Sequence, residues 1–252
     1  MLKLVEDEGL RLFEFCKRDS FGTKIAGYFK TFKTDFNFAL FWLQIAEDKK
    51  VTAAVCKIYG SAVVCAADDA DFTELSQFLK VTGFCVLSCD LSVCEKLRLE
   101  PVRQGNIVEI CKVPEHTTCK ANIEDYPELP KLYELLTASG FSLGDSGEWM
   151  ADISARMRKD VAQWCIVRHE DEIKACACAL FITDDAAFFG CVASDYACRG
   201  TGLGSDVVLT LAKKFCVDKR VNLFCKDGGI VDFYKKLGFS VVGRWAEIEY
   251  IG

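Results

Sequence analysis

The stretch that decides the fold, Val192 to Ala212, reads VASDYACRGTGLGSDVVLTLA. It begins at the end of an apolar segment, Ala186 to Ala193, which is typical of a buried strand. Beyond it, apolar residues recur at the spacing of a helix face: Leu203, Val207, Val208, Leu211, Ala212 and Phe215. The sequence therefore predicts a strand that passes through a glycine-rich turn into an amphipathic helix.

The turn between this strand and this helix has the composition of a phosphate-binding site. Its residues are Arg199, Gly200, Thr201, Gly202, Leu203, Gly204 and Ser205. Glycine lets a ligand come close to the backbone because it has no Cβ, and the free N–H groups of a first helical turn favour negative charge. Arg199 adds a positive charge that suits a phosphate group. We expect a pyrophosphate site here; the alternative is a helix start whose glycines serve only packing.

The spacing of the glycines distinguishes among known phosphate motifs. A dinucleotide fingerprint, G-x-G-x-x-G, would need a third glycine where Ser205 stands. A P-loop would need Gly-Lys-Ser or Gly-Lys-Thr, which this turn lacks. The turn instead contains Arg-x-x-Gly-x-Gly, at Arg199, Gly202 and Gly204. This spacing resembles the coenzyme A signature of the GNAT superfamily of N-acetyltransferases.

A second motif follows at the distance that the resemblance requires. After a short apolar strand, Val221 to Cys225, the chain reads FYKKLGF from Phe233 to Phe239. This run predicts a short helix that ends at Gly238, and it resembles the second GNAT motif. Many members carry an asparagine seven positions before the tyrosine, where this chain has Asp227. A carboxylate accepts the amide hydrogen bonds of a pantetheine arm but donates none.

The order of predicted elements in the C-terminal half matches the GNAT order. They are helices over 126–138 and 148–159, strands over 163–168, 173–182 and 186–193, the helix from Leu203, a strand over 221–225, the helix before Gly238 and a last strand over 240–250. The resemblance covers residues 124–252, which we interpret as a GNAT acyltransferase domain.

The N-terminal half repeats this order without the glycine turn. Its predicted elements are a helix over 8–32, strands over 38–46, 51–59 and 61–66, a helix over 72–80, a strand over 84–88, a helix over 92–99 and a strand over 106–113. At the equivalent turn stand Asp68, Asp69 and Asp71, which would repel a pyrophosphate. We interpret residues 1–113 as a degenerate GNAT-like domain, joined by a linker at 114–123; the alternative is an unrelated α/β domain.

The predicted fold class is therefore α/β (α+β), with two GNAT-like domains in tandem. Each domain would have a mixed, mostly antiparallel sheet flanked by helices.

Composition limits the partners and the compartment. The net charge of −6 and the pI near 5.2 argue against nucleic acid or an anionic membrane as the main partner. The sequence contains no long apolar span, and its first residues do not resemble a signal peptide, so we expect a cytoplasmic protein. Its 15 cysteines lie along apolar strands and are expected to be free thiols in the core. Two histidines and the lack of a paired C-x-x-C predict no metal site.

The resemblance implies direct transfer of an acetyl group from acetyl-CoA, a co-substrate, to an amine. Backbone groups of Cys191, Val192 and Ala193 would hold the pantetheine and the acyl oxygen. Tyr234 matches the family tyrosine that protonates the departing sulfur, although an aromatic residue on the inner face of a helix is commonly core. The Cys191 thiol is assigned to the core because no basic neighbour in sequence would activate it.

Several questions stay open at this point. Glu148, Asp184 and Glu247 are candidate general bases only because they are carboxylates near element ends. The acceptor is expected to be a small-molecule or peptide amine in a groove between the halves, and the protein a monomer or homodimer. The competing functions are a non-catalytic coenzyme A-binding sensor or scaffold and, more remotely, a dinucleotide-dependent enzyme.

Overall fold

The computed structural model describes residues 1–33, 35–114 and 121–249. By compactness, the described chain divides into two units. The first contains residues 1–107, 224–227 and those from 241 onward, and the second contains residues 108–223 and 228–240. The domain boundaries predicted from the sequence, at residues 113 and 124, were based on the order of helices and strands and not on compactness. These boundaries stay a prediction. Of the predicted linker 114–123, residues 115–120 lie outside the described residues.

The first unit contains a sheet in which most neighbouring strands are antiparallel. Its elements are β1 (Leu2–Leu4), α1 (Gly9–Cys16), α2 (Ser20–Phe32), β2 (Ala39–Ile45), β3 (Val51–Ile58), β4 (Ser61–Ala66), α3 (Phe72–Thr82), β5 (Val86–Asp90), α4 (Leu91–Lys96) and most of β6 (Arg103–Ile110). The strands lie in the order β1-β2-β3-β4-β5. Only β4 and β5 in this series are parallel, with α3 as the connection between them.

The C-terminal half of the chain repeats the same order of elements. They are β7 (Asn122–Glu124), α5 (Leu129–Ala138), α6 (Ser146–Arg158), β8 (Gln163–His169), β9 (Glu172–Ile182), β10 (Ala186–Ser194), α7 (Leu203–Phe215), β11 (Arg220–Cys225) and α8 (Gly229–Lys236), followed by β12 (Ser240–Glu249). Strands β7 to β10 are antiparallel neighbours, and β10 and β11 are parallel around α7. Each half is thus a mixed, mostly antiparallel sheet flanked by helices, as predicted.

The last strand of the chain is part of the first unit. β12 pairs antiparallel with β5, from Trp245 opposite Asp90 to Glu249 opposite Val86. The sequence indicated a strand here but not its partner, because nothing local to a strand specifies a neighbour so far away along the chain. Tyr250, which the prediction included in this strand, lies outside the described residues.

The predicted helix over 8–32 is wrong, because the chain forms two helices there. Asp19 interrupts it: its carboxylate accepts the backbone N–H of Gly22 at 2.8 Å and so caps α2. Gly22 also lies against the end of α1, where a Cβ would be 2.1 Å from the carbonyl oxygen of Cys16. The short edge strands β1 and β7 were not predicted either, since three residues are too few to show an alternating pattern.

The sheet of the second unit is covered on both faces, which explains its nearly continuous apolar strands. One face packs against α5 and α6 around Trp164, which is fully buried, together with Cys176 and Cys178. The other face packs against α7, whose predicted apolar positions are buried except for the half-buried Leu203. Within the described ranges, no helix combines the length and the apolar content that crossing a bilayer requires.

Gly105 on β6 should not tolerate a side chain. A Cβ at this position would lie 2.3 Å from the carbonyl oxygen of Cys225 and 2.8 Å from Nε1 of Trp245, which donates to that same oxygen at 3.1 Å. We expect Gly105→Ala to lower the free energy of unfolding by about 1–3 kcal/mol, the usual cost of overpacking. Gly229→Ala is the control, since a Cβ there meets nothing within 4 Å. Urea unfolding of both variants is the measurement, and equal midpoints would contradict the prediction.

Candidate functional site

The predicted turn after β10 has left-handed backbone at two glycines. A 3₁₀ turn, Tyr196–Cys198, leads to Arg199, and Gly200 and Gly202 then have φ of 80° and 93°. Residues with a Cβ rarely adopt this conformation, so glycine is strongly favoured at both positions. Helix α7 begins directly afterwards at Leu203, with Gly202 as its N-cap.

The start of α7 is open and has no side-chain cap. Gly202 offers no oxygen to the first N–H groups, and no side-chain hydrogen bond caps the helix. A Cβ at Gly200 or Gly202 would meet no atom within 4 Å, so the space in front of these residues is clear. Gly204 differs, because its Cβ would lie 3.3 Å from Oγ of Ser194, and it serves close packing of the helix on β10. The turn is therefore shaped to admit a group with acceptor oxygens.

The charges around the turn are mixed. The Arg199 side chain is exposed, with its guanidinium carbon 5.0 Å from the centre of the Tyr196 ring. Thr201 closes the turn by donating from its hydroxyl to the carbonyl of Cys198 at 2.6 Å. Asp206 lies in the first turn of α7 and has interactions of its own. That Arg199 contacts an anion in front of the helix stays a prediction.

The equivalent turn of the first unit is filled by its own carboxylates. Asp71 caps α3 by accepting from the N–H groups of Thr73 and Glu74 at 3.0 and 2.9 Å. Two lysines bind the other carboxylates, Lys96 on Asp68 at 2.6 Å and Lys50 on Asp69 at 2.5 Å. These lysine hydrogen bonds hold the pKa of both aspartates below the usual range, so both stay charged. The start of α3 is therefore capped by a side chain, whereas that of α7 is not.

Strand β10 carries a bulge just before the turn. It pairs with β11 from Ala186 to Phe189 and itself continues to Ser194. Its register with β9 shifts between Gly190 and Ala193, and Cys191 within the shift has a φ of 51°. A bulge leaves an extra residue out of the ladder and redirects its backbone groups. The predicted contact residues Cys191, Val192 and Ala193 all lie at this irregularity.

The thiol of Cys191 is buried in the core. Burial raises its pKa to about 12, so the reactive thiolate does not form near neutral pH. Its neighbour Cys176 donates to the Cys191 carbonyl at 3.4 Å. The assignment of this thiol to the core is confirmed.

Tyr234 and Asp227, the other predicted site residues, lie in different units. Tyr234 is 5% exposed on the inner face of α8, with its ring edge-on to Phe233 and Phe239 at 5.0 and 5.5 Å. Gly238 ends that helix with a φ of 95°, as predicted. Ile230, in the first turn of the same helix, is exposed.

Asp227 belongs to the first unit and is held by two polar side chains. Asn106 donates to its Oδ1, and Nη2 of Arg244 lies 3.2 Å from its Oδ2. Sequence reasoning missed both partners, because nothing near Asn106 or Arg244 along the chain marks them. The guanidinium balances the charge of the Asp227 carboxylate.

The candidate general bases are scattered. Glu148 is exposed in the first turn of α6, and Asp184 is exposed in the turn that precedes β10, at the opposite end of that strand from the glycine turn. Glu247 lies on β12, where Nε of Arg103 is 3.1 Å from its Oε2. Among the described residues, no group of three or more His, Cys, Asp and Glu side chains is arranged to hold a metal ion.

Comparison with known proteins identifies the architecture. No family profile and no curated protein matches this sequence. Among solved structures, a Drosophila protein aligns with a TM-score of 0.69 and 13% identity over 98% of both chains. A GCN5-related N-acetyltransferase from Sphaerobacter thermophilus aligns with a TM-score of 0.60 and 11% identity, over 98% of this chain and 94% of that one. A tandem GNAT protein from the clavulanic acid biosynthesis pathway aligns with a TM-score of 0.59 and 9% identity, over 98% of this chain and 97% of that one.

The chain has a tandem GNAT fold. The full-length match to a tandem protein covers both halves, so the predicted resemblance and the predicted fold class are confirmed. At 9–13% identity these likenesses establish the fold alone. In this GNAT fold, the glycine turn, the start of α7 and the β10 bulge are all parts of the second unit.

We expect Gly202→Asp to abolish acetyl-CoA binding while the protein stays folded. The substitution puts a carboxylate where backbone must approach phosphate, at the positive end of α7. Gly202→Asn is the matched neutral variant, since asparagine tolerates left-handed backbone about as well as aspartate. Gly140→Asp controls for strain, because Gly140 has a φ of 92° and equally open surroundings. Calorimetry with acetyl-CoA should rank Gly202→Asp far below both, and wild-type affinity in Gly202→Asp would exclude this turn as the site.

We also expect one coenzyme A to bind per chain. The start of α3 is capped by Asp71 and surrounded by two further carboxylates, whereas that of α7 is open. Titration calorimetry should therefore give a stoichiometry near one, which Gly202→Asp reduces to zero. A stoichiometry near two would show that the first unit also binds the nucleotide.

Proposed function

We propose that this protein is an acetyl-CoA or acyl-CoA-dependent N-acyltransferase. The observation that carries the proposal is the open, uncapped start of α7 behind two left-handed glycines, directly after the bulge of β10. In this proposal, the pyrophosphate binds at residues 199–205, with Arg199 beside it. The pantetheine then runs along β10, where the backbone of residues 191–193 receives it. The GNAT fold of the solved neighbours supports this arrangement.

The reaction is a direct acyl transfer. The lone pair of the acceptor amine forms a bond to the thioester carbonyl carbon, and negative charge develops on the carbonyl oxygen. When the carbonyl re-forms, the C–S bond breaks and its electron pair leaves with the sulfur of coenzyme A. The amine nitrogen loses a proton to water or a base, and the thiolate gains one. Backbone N–H groups at the bulge would stabilise the oxyanion.

Tyr234 is the proposed proton donor to the thiolate. Its motif position supports this role, and its phenol has the one polar atom on the buried face of α8 that can donate a proton. The acceptor is proposed to be a small-molecule or peptide amine. Neither nucleic acid nor a membrane is a proposed partner; a monomer or homodimer in the cytoplasm is the working expectation.

A non-catalytic coenzyme A binder is the second candidate. Two observations favour it: Tyr234 is packed between aromatic rings, and Asp227 is already bound by Asn106 and Arg244. The two functions differ in turnover alone. Calorimetry with acetyl-CoA followed by a broad amine panel, with released thiol as the signal, separates them: binding with turnover supports the enzyme, and tight binding without turnover supports the sensor or scaffold. Absence of binding contradicts both.

Tyr234→Phe should lower turnover while acetyl-CoA affinity is retained. The ring keeps its packing, so stability holds, but the proton for the thiolate is lost, which typically costs about 100-fold. Tyr126→Phe is the control, because this tyrosine is 94% exposed and lies outside the site. The measurement is kcat with the best amine, under conditions where a solvent isotope effect shows that chemistry limits the rate. Full turnover there would make Tyr234 a packing residue.

A further inference from the structure

Arg156 on α6 is the one Lys, Arg, Asp or Glu side chain that is buried among the described residues, at 6% exposure. Burying a charge costs free energy, and a buried ion pair contributes little net stability compared with apolar residues of the same size. An apolar residue would fill this space at lower cost. The position of Arg156 therefore calls for an explanation other than stability.

The guanidinium of Arg156 is fixed by three contacts. It forms an ion pair with Asp152, one turn earlier on α6. Its Nη1 donates to the carbonyl oxygen of Leu180 on β9 at 3.3 Å, and its central carbon lies 4.8 Å from the centre of the Phe181 ring. Leu180 lies at a first register shift between β9 and β10, opposite Phe188 and Phe189, which is separate from the shift between Gly190 and Ala193. The positive charge thus points from the helix into the sheet and has little freedom to move.

The same contacts bring the charge behind the β10 bulge. Leu180, which accepts the hydrogen bond from Arg156, packs against Gly190. A Cβ on Gly190 would lie only 2.4 Å from Cδ1 of Leu180. Gly190 pairs with Cys178, and the left-handed Cys191 follows directly. Burial raises the pKa of the Cys191 and Cys178 thiols, and the positive charge of Arg156 opposes that rise at both. The charge of Arg156 therefore acts on the side chain of Cys191, which lies within the bulge.

We propose that Arg156 is a positioning residue for acyl transfer, whose fixed charge behind the β10 bulge stabilises the oxyanion formed from the thioester carbonyl. The inference rests on the proposed function, in which the acyl oxygen lies at the bulge. A charge that is already oriented needs no reorganisation during the reaction, and in a dry interior it acts strongly over several ångströms. Arg156 acts through this field and does not touch the substrate. Asp152 helps to hold the guanidinium in place.

The test compares variants that change the charge but keep the volume. Asp152→Asn/Arg156→Gln replaces the ion pair by two neutral amides, so no uncompensated charge is buried, and Arg156→Lys keeps the positive charge. Arg158→Gln removes an exposed charge from the same turn of α6 and is the matched control. Acetyl-CoA labelled with ¹³C at the carbonyl reports polarisation directly, because its infrared stretching frequency falls as the C=O bond weakens.

Bound to the wild-type protein, the labelled carbonyl should absorb at lower frequency than in free acetyl-CoA. The neutral pair should lose most of this shift, Arg156→Lys should keep part of it, and Arg158→Gln all of it. In the neutral pair, kcat should fall about 10–100-fold, while KM for acetyl-CoA should stay unchanged. The reason is that the charge acts on the developing oxyanion.

Three outcomes would overturn the inference. An unshifted carbonyl in the wild-type complex does so without any variant. An equal shift and equal kcat in the neutral pair would give Arg156 a structural role only. Failure of the wild-type protein to bind acetyl-CoA at all would instead remove the proposed function, and calorimetry identifies that case before the spectra are recorded.

Discussion

The first backbone N–H groups of a helix have no partner inside the helix, and each helix must find them one. In α2, α3, α4 and α6, an aspartate at the N-cap accepts from them. Helix α7, like α1, α5 and α8, has no side-chain cap, and its N-cap is the left-handed Gly202. This uncapped helix start is the constraint around which we interpret the second unit: the glycine turn keeps it open, Gly204 packs the helix on β10, and Arg199 adds a positive charge to the turn. The first unit has the same elements in the same order, and Asp71 removes the constraint there.

Strand β10 links the helix start to the chemistry we propose. Because the sheet is buried on both faces, a regular strand would use all of its backbone N–H and C=O groups in hydrogen bonds to the neighbouring strands. The bulge at Cys191 interrupts that ladder within a few residues of the turn. Small residues make the interruption possible, since Gly190 leaves room for Leu180 and buried thiols fill the space beside it. On β9, a strand that pairs with β10, the carbonyl of Leu180 accepts from the buried Arg156 of α6.

What could be predicted from the sequence is what depends on neighbours along the chain. The glycine turn, the apolar face of α7 and the end of α8 at Gly238 follow from local spacing, and all of them are present. The break at Asp19 was missed because an aspartate inside an apolar helical pattern is as easily an exposed residue as a cap. The partners of Asp227, the hydrogen bond from Arg156 to the Leu180 carbonyl and the pairing of β12 with β5 join residues far apart in sequence. No periodicity or motif encodes such contacts; only the folded chain creates them.

The pairing of β12 with β5 also has a consequence for the order of assembly. Asp90 leaves the ribosome about 150 residues before β12, the strand with which it pairs. Contacts so distant along the chain form late. Until then, β5 keeps an edge without β12, and an exposed edge is a template for pairing with another chain. The two halves are therefore coupled in time: the first cannot be completed until synthesis of the second is nearly finished. A fragment that ends after β6 would lack an element of its own sheet.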